Sequence, residues 1–215
     1  MKSLNDKIEQ LKNISNKKLD PEKEKLFLQA IKELEMSEQA KGIKVGDKAK
    51  DFILPDQNQK QVRLFDLLKN GPIVLTFYRG GWCPYCNLQL RAYQEILDKI
   101  HELGASLVAV SPQKPDRHTY KSLIDGLTFT VLSDENNEVS KLYHVLYELP
   151  EYLVKPYQEL GINLELENIN RKWILPSPAT YIIDRTGLIV HANIHSDFKK
   201  RMEPEHILSI LEILN

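Results

Sequence analysis

Apolar residues recur along this 215-residue chain with two different periods, and the period separates its predicted elements. Residues 1–41 carry sparse apolar positions three and four residues apart, a spacing typical of amphipathic helices. Asp20 and Pro21 predict the start of the second of two helices, because Asp caps helices and Pro suits the first helical position. We therefore expect residues 1–41 to form an N-terminal helical extension, which packs on the following domain or contacts a second copy of the chain.

Residues 42–215 alternate between apolar runs and amphipathic stretches, and we expect them to form one domain. Strands are predicted at residues 52–56, 61–64, 73–78, 107–110, 129–132, 179–184 and 188–192. Helices are predicted from the cysteine motif to Gly104, at about 114–124, at about 136–146 and from Glu203 onward. Residues 147–172 are less regular and are predicted to be an insertion with some helix that lies near the active site. This order predicts an α/β fold, a central mixed sheet flanked by helices with an antiparallel hairpin at one edge.

The charge of the chain is nearly balanced, with 29 basic and 30 acidic residues. We expect neither nucleic acid nor an anionic membrane as a partner, since both attract a basic surface. The short basic run Lys199-Lys200-Arg201 is predicted to be solvated surface. The sequence shows neither a signal peptide nor an apolar run of bilayer-spanning length, so we expect a cytoplasmic location.

The two cysteines of the chain, Cys83 and Cys86, lie in the run Gly80-Gly81-Trp82-Cys83-Pro84-Tyr85-Cys86 between a predicted strand and a predicted helix. Cytoplasmic cysteines this close are more typical of catalysis or metal binding than of a structural disulfide, which would close a very short loop. At the helix start, free N–H groups and the helix dipole favour a thiolate on Cys83. Cys83 is therefore the predicted nucleophile, and Cys86 the predicted resolving thiol. Arg79 either favours that thiolate or is a surface charge at the strand end.

A zinc site is the alternative use of such a cysteine pair. His191 and His195 would complete a set of two Cys and two His, but more than a hundred residues separate the two halves. His191 also lies on a predicted strand rather than on the helix of a zinc finger. We therefore predict no metal and no cofactor.

Four segments of the sequence carry a family resemblance. They are "KVGDKAKDFILPD", "PIVLTFYRGGWCPYCNLQL", "LVAVSP" and "LPSPATYIIDRTGLIVHANI". In this order they resemble the peroxiredoxin-like branch of the alkyl hydroperoxide reductase and thiol-specific antioxidant family, over about residues 43–214. The resemblance implies a thioredoxin fold, with Cys83 as the peroxidatic-type nucleophile and Cys86 as the resolving cysteine.

The sequence departs from the family pattern at three positions around the cysteines. Gly80 stands where the family usually has Thr or Ser, Thr76 stands where it has Pro, and Pro178 stands where it has the active-site Arg. Pro178 instead resembles the cis-proline of thioredoxins, which faces the cysteine pair and leaves backbone edges for a substrate; a trans proline opening a strand is the alternative. Trp82 matches the thioredoxin-like W-C-x-x-C motif. The dipeptide Pro84-Tyr85 is typical of glutaredoxins, which implies a less reducing potential than that of thioredoxin.

Three functions follow as hypotheses. The first is thiol–disulfide exchange at Cys83 and Cys86, with Pro178 shaping the site and Trp82 and Tyr85 forming its walls. The second is an atypical thiol peroxidase that reduces hydrogen peroxide or alkyl hydroperoxides and is recycled by thioredoxin, glutaredoxin or glutathione. The third is a redox-sensing module that binds a partner through the N-terminal helices.

Overall fold

A five-stranded mixed sheet lies at the centre of the computed structural model, which describes residues 2–17, 19–114 and 117–214. The strands are β1 (Ile53–Pro55), β2 (Gln61–Arg63), β3 (Ile73–Phe77), β4 (Ser106–Ser111), β5 (Thr130–Ser133), β6 (Leu146–Glu148), β7 (Ile174–Pro176), β8 (Ala179–Ile183) and β9 (Ile189–Ile194). The central sheet has the order β5-β4-β3-β8-β9. β3, β4 and β5 are parallel, whereas β8 runs antiparallel to β3 and forms the edge hairpin with β9. The predicted α/β fold is confirmed.

Helices cover both faces of this sheet. They are α1 (Leu4–Asn16), α2 (Pro21–Met36), α3 (Leu64–Leu68), α4 (Pro84–Glu95), α5 (Leu97–Glu102), α6 (His118–Ile124), α7 (Glu138–Leu142), α8 (Val154–Glu159), α9 (Leu164–Glu167) and α10 (Pro204–Leu214), together with a 3-10 helix at Glu151–Leu153. β3 is buried along its whole length, and its side chains alternate between two cores. Val74 packs into the core formed with α4, α5 and α10, whereas Leu75 and Phe77 pack into the core formed with α3 and α7.

The N-terminal helices pack on the rest of the chain. Leu4 and Ile8 of α1 are buried in the same core as α4, and the N–H groups of Leu4 and Asn5 donate to the Glu203 carboxylate at 3.1 and 2.6 Å. The predicted start of α2 is confirmed, because Asp20 accepts from the Glu22 N–H at 2.9 Å. Leu4, Ile8, Phe27 and Leu34 of these helices are thus buried within the chain, whereas Ile14, Leu28 and Met36 are exposed. The domain boundary at residues 41 and 42 and the homodimer stay predictions.

Three helices differ from their predicted bounds. The helix after the cysteines is interrupted at Ile96, which separates α4 from α5. The helix predicted at 136–146 contains only α7, because His144 adopts a positive φ of 54° and the chain continues into β6. In the helix predicted at 114–124, α6 begins at His118, and residues 115–116 lie outside the described residues.

The insertion at 147–172 contains the 3-10 helix, α8 and α9, as predicted. It lies beside α2, where Phe27 joins Leu153 and Tyr157 in a third apolar cluster. In the part of the chain that the structure describes, no helix has both the length and the apolar character needed to cross a membrane.

Candidate functional site

The two cysteines lie where β3 is followed by α4. Cys83 is the N-cap residue of α4, and Pro84 occupies the first helical position. The N–H groups of Cys86 and Asn87 donate to the Cys83 carbonyl at 3.0 and 3.1 Å. Both cysteines are free thiols. The geometry places Cys83 at the positive end of the helix dipole, as the sequence predicts.

The loop before the cysteines requires glycine at position 80. Gly80 has a φ of 145°, and a Cβ there would collide with the Trp82 indole nitrogen and lie 3.2 Å from the Gln113 side-chain oxygen. The next N–H, from Gly81, donates to that same Gln113 oxygen at 2.5 Å. Gln113 in turn donates to Glu167 of the insertion at 2.8 Å. The Thr or Ser of the family pattern therefore does not fit here, because the indole and the Gln113 amide occupy its place.

Arg79 is buried beside Cys83, with 1% of its surface exposed. Its Nη1 lies 3.9 Å from the Cys83 sulfur, and its Nη2 donates to the Tyr157 hydroxyl. The guanidinium also lies 4.4 Å from the ring centre of Phe198 and 4.9 Å from that of Trp82. The surface-charge alternative for Arg79 is wrong, because aromatic rings from three segments enclose it.

Arg201 is a second buried arginine that the sequence did not reveal. It is 5% exposed, and its Nη2 lies 3.4 Å from the Cys86 sulfur. Its Nη1 donates to the carbonyls of Phe198 and Lys200. The prediction that this basic run is solvated is wrong for Arg201. Because 115 residues separate it from Cys86, no local spacing in the sequence indicates the contact.

The two thiols titrate as a pair. Burial raises the pKa of Cys83, and its hydrogen bond with Cys86 raises it further, while Arg79 and Arg201 oppose both effects. Burial would also raise the pKa of Cys86, but the hydrogen bond from Cys83 and the charges of Arg201 and Arg79 outweigh burial and lower it. The pair therefore loses its first proton readily and its second reluctantly. The first negative charge therefore lies on Cys86, which accepts the hydrogen bond of the Cys83 thiol, and the thiolate predicted for Cys83 forms only when Cys83 gives up that proton.

A pocket of about 400 Å³ opens onto Cys83. Its lining comes from the N-terminal helices, the cysteine motif, the insertion and the loop before α10, and includes Phe27, Arg79, Trp82, Cys83, Pro84, Tyr85, Tyr157 and Phe198. Cys86 is fully buried and lies outside this lining. A small molecule in the pocket thus meets Cys83 first. Four of the residues predicted to surround the cysteines, namely Arg79, Trp82, Pro84 and Tyr85, lie together around it.

Pro178 does not play the part predicted for it. The prediction of a cis bond is wrong: the Ser177–Pro178 peptide is trans, the isomer that X-Pro bonds favour by about 0.5–1 kcal/mol. Pro178 is also absent from the lining of the Cys83 pocket. The Ser177 N–H already donates to Val145 at 2.8 Å, and the Pro178 carbonyl accepts from His195 at 3.3 Å. These backbone groups are therefore not free to pair with a substrate.

The histidines of the zinc hypothesis lie elsewhere in the fold. His191 is on β9, and its ring centre is 4.9 Å from that of His206. Within the described ranges, no three His, Cys, Asp or Glu side chains are grouped as metal ligands.

Comparisons with known proteins agree with this architecture. Residues 45–192 match the model of the AhpC/TSA family. The chain is 28% identical over 170 residues to peroxiredoxin Bcp of Escherichia coli K12, covering 79% of this chain and 96% of that protein. Among solved structures, the fold resembles peroxidoxin BcpB of Mycobacterium tuberculosis, with a TM-score of 0.62, 22% identity and coverage of 80% of this chain and 99% of that one. It also resembles a mutant of PrxQ from Xylella fastidiosa, with a TM-score of 0.62, 20% identity and coverage of 80% and 96%. The chain belongs to the AhpC/TSA family and is a peroxiredoxin-like oxidoreductase with a thioredoxin fold.

Proposed function

We propose that this enzyme cycles Cys83 and Cys86 between a dithiol and an intramolecular disulfide while it reduces a small oxidant. The observation that carries the proposal is the arrangement of the two sulfurs. Cys83 caps α4, borders the pocket and faces Arg79, whereas Cys86 lies behind it beside Arg201. This arrangement supports oxidation at Cys83 and resolution of the product by Cys86.

With a peroxide as oxidant, two steps convert the dithiol into the disulfide. The Cys83 thiolate attacks one peroxide oxygen, the O–O bond breaks, and the leaving alkoxide or hydroxide takes a proton to give an alcohol or water. Cys83 is then a sulfenic acid. The Cys86 thiolate attacks the Cys83 sulfur, the S–O bond breaks, and the departing hydroxide takes a proton to form water. Two electrons have passed from the dithiol to the peroxide.

The pocket supports a small oxidant over a protein substrate. Cys83 is 1% exposed, and the N-terminal helices form one wall of its pocket. Family membership supports a peroxide, hydrogen peroxide or an alkyl hydroperoxide, as this oxidant. The second candidate is thiol–disulfide exchange with a low-molecular-weight disulfide. It is supported by the Trp82-Cys83-Pro84-Tyr85-Cys86 run with Cys83 at the helix N-cap.

A thiol reductant must reopen the Cys83–Cys86 disulfide. Thioredoxin, glutaredoxin and glutathione all supply the required thiolate, and they remain the proposed reductants. The cytoplasmic location stays a prediction that fits this supply of thiols.

Stopped-flow fluorescence tests the proposal, because Trp82 is adjacent to Cys83. Reduced protein is mixed separately with hydrogen peroxide, an alkyl hydroperoxide and glutathione disulfide. We expect a fluorescence change much faster than oxidation of a free thiol with at least one of them, retained in its first phase by Cys86→Ser and lost in Cys83→Ser. The oxidant with the largest rate constant identifies the substrate class. A Cys83→Ser variant as fast as the wild type would disprove the assigned roles.

A further inference from the structure

Arg201 lies outside the cysteine motif and outside the Cys83 pocket, yet it contacts Cys86. It precedes α10, and two backbone carbonyls, of Phe198 and Lys200, fix one of its amino groups. The other amino group points at the Cys86 sulfur at 3.4 Å. The partners that fix the position of the guanidinium are thus backbone carbonyls, which are less mobile than side chains.

Arg201 also lacks the partner that a buried cation normally has. No carboxylate among the described residues forms an ion pair with it. A buried charge without a counterion is destabilising. The nearby atom that can carry the compensating charge is the Cys86 sulfur, as a thiolate. In the disulfide state neither sulfur carries a charge, so Arg201 is then uncompensated.

We propose that Arg201 is a catalytic residue for the reductive half of the cycle, where its guanidinium receives the negative charge that appears on Cys86 when the disulfide opens. The assignment rests on the proposed function only for the existence of that disulfide.

Reduction of the disulfide proceeds in two exchanges. A reductant thiolate attacks the Cys83 sulfur, the Cys83–Cys86 bond breaks, and its electron pair leaves on Cys86 as a thiolate opposite Arg201. Cys83 is now joined to the reductant in a mixed disulfide. A second thiol of the reductant attacks the reductant's own sulfur, releases its disulfide and returns Cys83 as a thiolate. The two electrons come from the two reductant thiols, and the thiol proton released on the way is shared by the pair.

The contact of Arg201 with Cys86 makes Cys86 a better leaving group. A thiol with a lower pKa leaves faster from a disulfide. Because the cation favours the dithiol state and not the disulfide, Arg201 also makes the disulfide easier to reduce. Pro178 stands at the family's arginine position, and the structure supplies a cation to the cysteine pair from a different loop, before α10.

A titration without any substrate tests the contact. In a Cys83→Ser background Cys86 is the sole thiol, and its thiolate is read from ultraviolet absorbance against pH. We expect Arg201→Gln to raise the pKa of Cys86 by about 1–3 units, the range for an opposite charge at this separation. Arg201→Lys should retain part of the effect. The matched control is Lys200→Gln, which removes an equal charge from the adjacent exposed residue.

The redox equilibrium gives the second readout, in proteins with both cysteines. In glutathione buffers, Arg201→Gln should shift the dithiol–disulfide equilibrium toward the disulfide by about tenfold per unit of thiol pKa and slow reduction by a thiol. A circular dichroism melt identifies a variant that is not folded. If Arg201→Gln does not fold, Arg201→Lys replaces it in the test, and we expect its dithiol–disulfide equilibrium to shift in the same direction. A Cys86 pKa and an equilibrium that match those of Lys200→Gln would overturn the proposal. If the wild type forms no disulfide, the proposed function fails, whereas the titration still decides the role of Arg201.

Discussion

Replacing Arg79 by Gln should slow the attack of Cys83 on an oxidant. Arg79 is buried, and its Nη1 is 3.9 Å from the Cys83 sulfur. Two unit charges at about that distance interact by about 4 kcal/mol at an effective dielectric constant of about 20, equivalent to about 3 pKa units. Measured effects of a neighbouring Arg cover about 1–3 units. We therefore expect Arg79→Gln to raise the pKa of Cys83 by about 1–3 units.

The effect on rate is smaller than the effect on pKa, because a more basic thiolate is also more nucleophilic. With a Brønsted coefficient of about 0.4–0.5, a shift of about 1–3 units lowers the observed rate constant about 3- to 60-fold, at a pH below the thiol pKa. The assay is single-turnover oxidation in a Cys86→Ser background, where Cys83 titrates alone. Arg91→Gln is the matched control, since Arg91 lies on α4, is exposed and contacts the Ser122 carbonyl at 3.3 Å.

An Arg79→Gln variant that oxidised as fast as Arg91→Gln, with a Cys83 thiol that titrated at the same pH, would show that the Arg79 charge does not activate Cys83. Tyr157→Phe separates charge from packing. It keeps the aromatic ring of Tyr157 and removes the hydroxyl that accepts from Arg79. We expect it to change the pKa of Cys83 less than Arg79→Gln does, because the cation remains in place.

Three further predictions concern stability and pH. Gly80→Ala should destabilise the fold by about 1–3 kcal/mol in urea unfolding, because its positive φ and the Trp82 indole both oppose a Cβ; an unchanged midpoint would contradict this. Phe27→Ala should cost about 3–5 kcal/mol, since Phe27 is buried with Tyr157 between α2 and the insertion; a loss of less than about 1 kcal/mol would show that the N-terminal helices are not fixed there. Burial, assisted by nearby cations, lowers the pKa of His195 below its usual 6.5, so the unfolded chain binds more protons below that pH and stability falls as the pH falls. Between about pH 7 and 5, the melting temperature of His195→Gln should therefore fall less than that of the wild type. An equal fall in both proteins would show that His195 does not cause this pH dependence.

The sequence predicted those features that depend on neighbouring residues. The continuous apolar run of β3, the Asp20 cap of α2 and the placement of Cys83 at a helix start are all local patterns, and the structure has them. The contact of Arg201 with Cys86 spans 115 residues, and that of Arg79 with Tyr157 spans 78, so neither leaves a periodicity. In a basic run such as Lys199-Lys200-Arg201, the sequence does not distinguish an arginine that is buried from one that is solvated.

Analogy failed at Pro178 for a different reason. Its position in the sequence matched that of a cis-proline, but both flanking backbone groups already have partners. At Gly80 the departure from the family pattern has a steric cause. It involves Gln113, which follows β4 and is 32 residues from Gly81 in the sequence. Such causes depend on tertiary contacts, which a single sequence does not show.

Mass spectrometry of the reduced protein after one equivalent of the substrate oxidant tests whether Cys83 and Cys86 cycle between dithiol and disulfide. We predict that the wild type loses the mass of two hydrogens and that digestion yields a peptide with a Cys83–Cys86 disulfide. Cys86→Ser should instead gain one oxygen from a peroxide, trapped as a sulfenic acid on Cys83, or the mass of the bound thiol from a disulfide. A wild type that retains both thiols, or a Cys83→Ser variant in which Cys86 is oxidised as fast as Cys83 is in Cys86→Ser, would contradict the account.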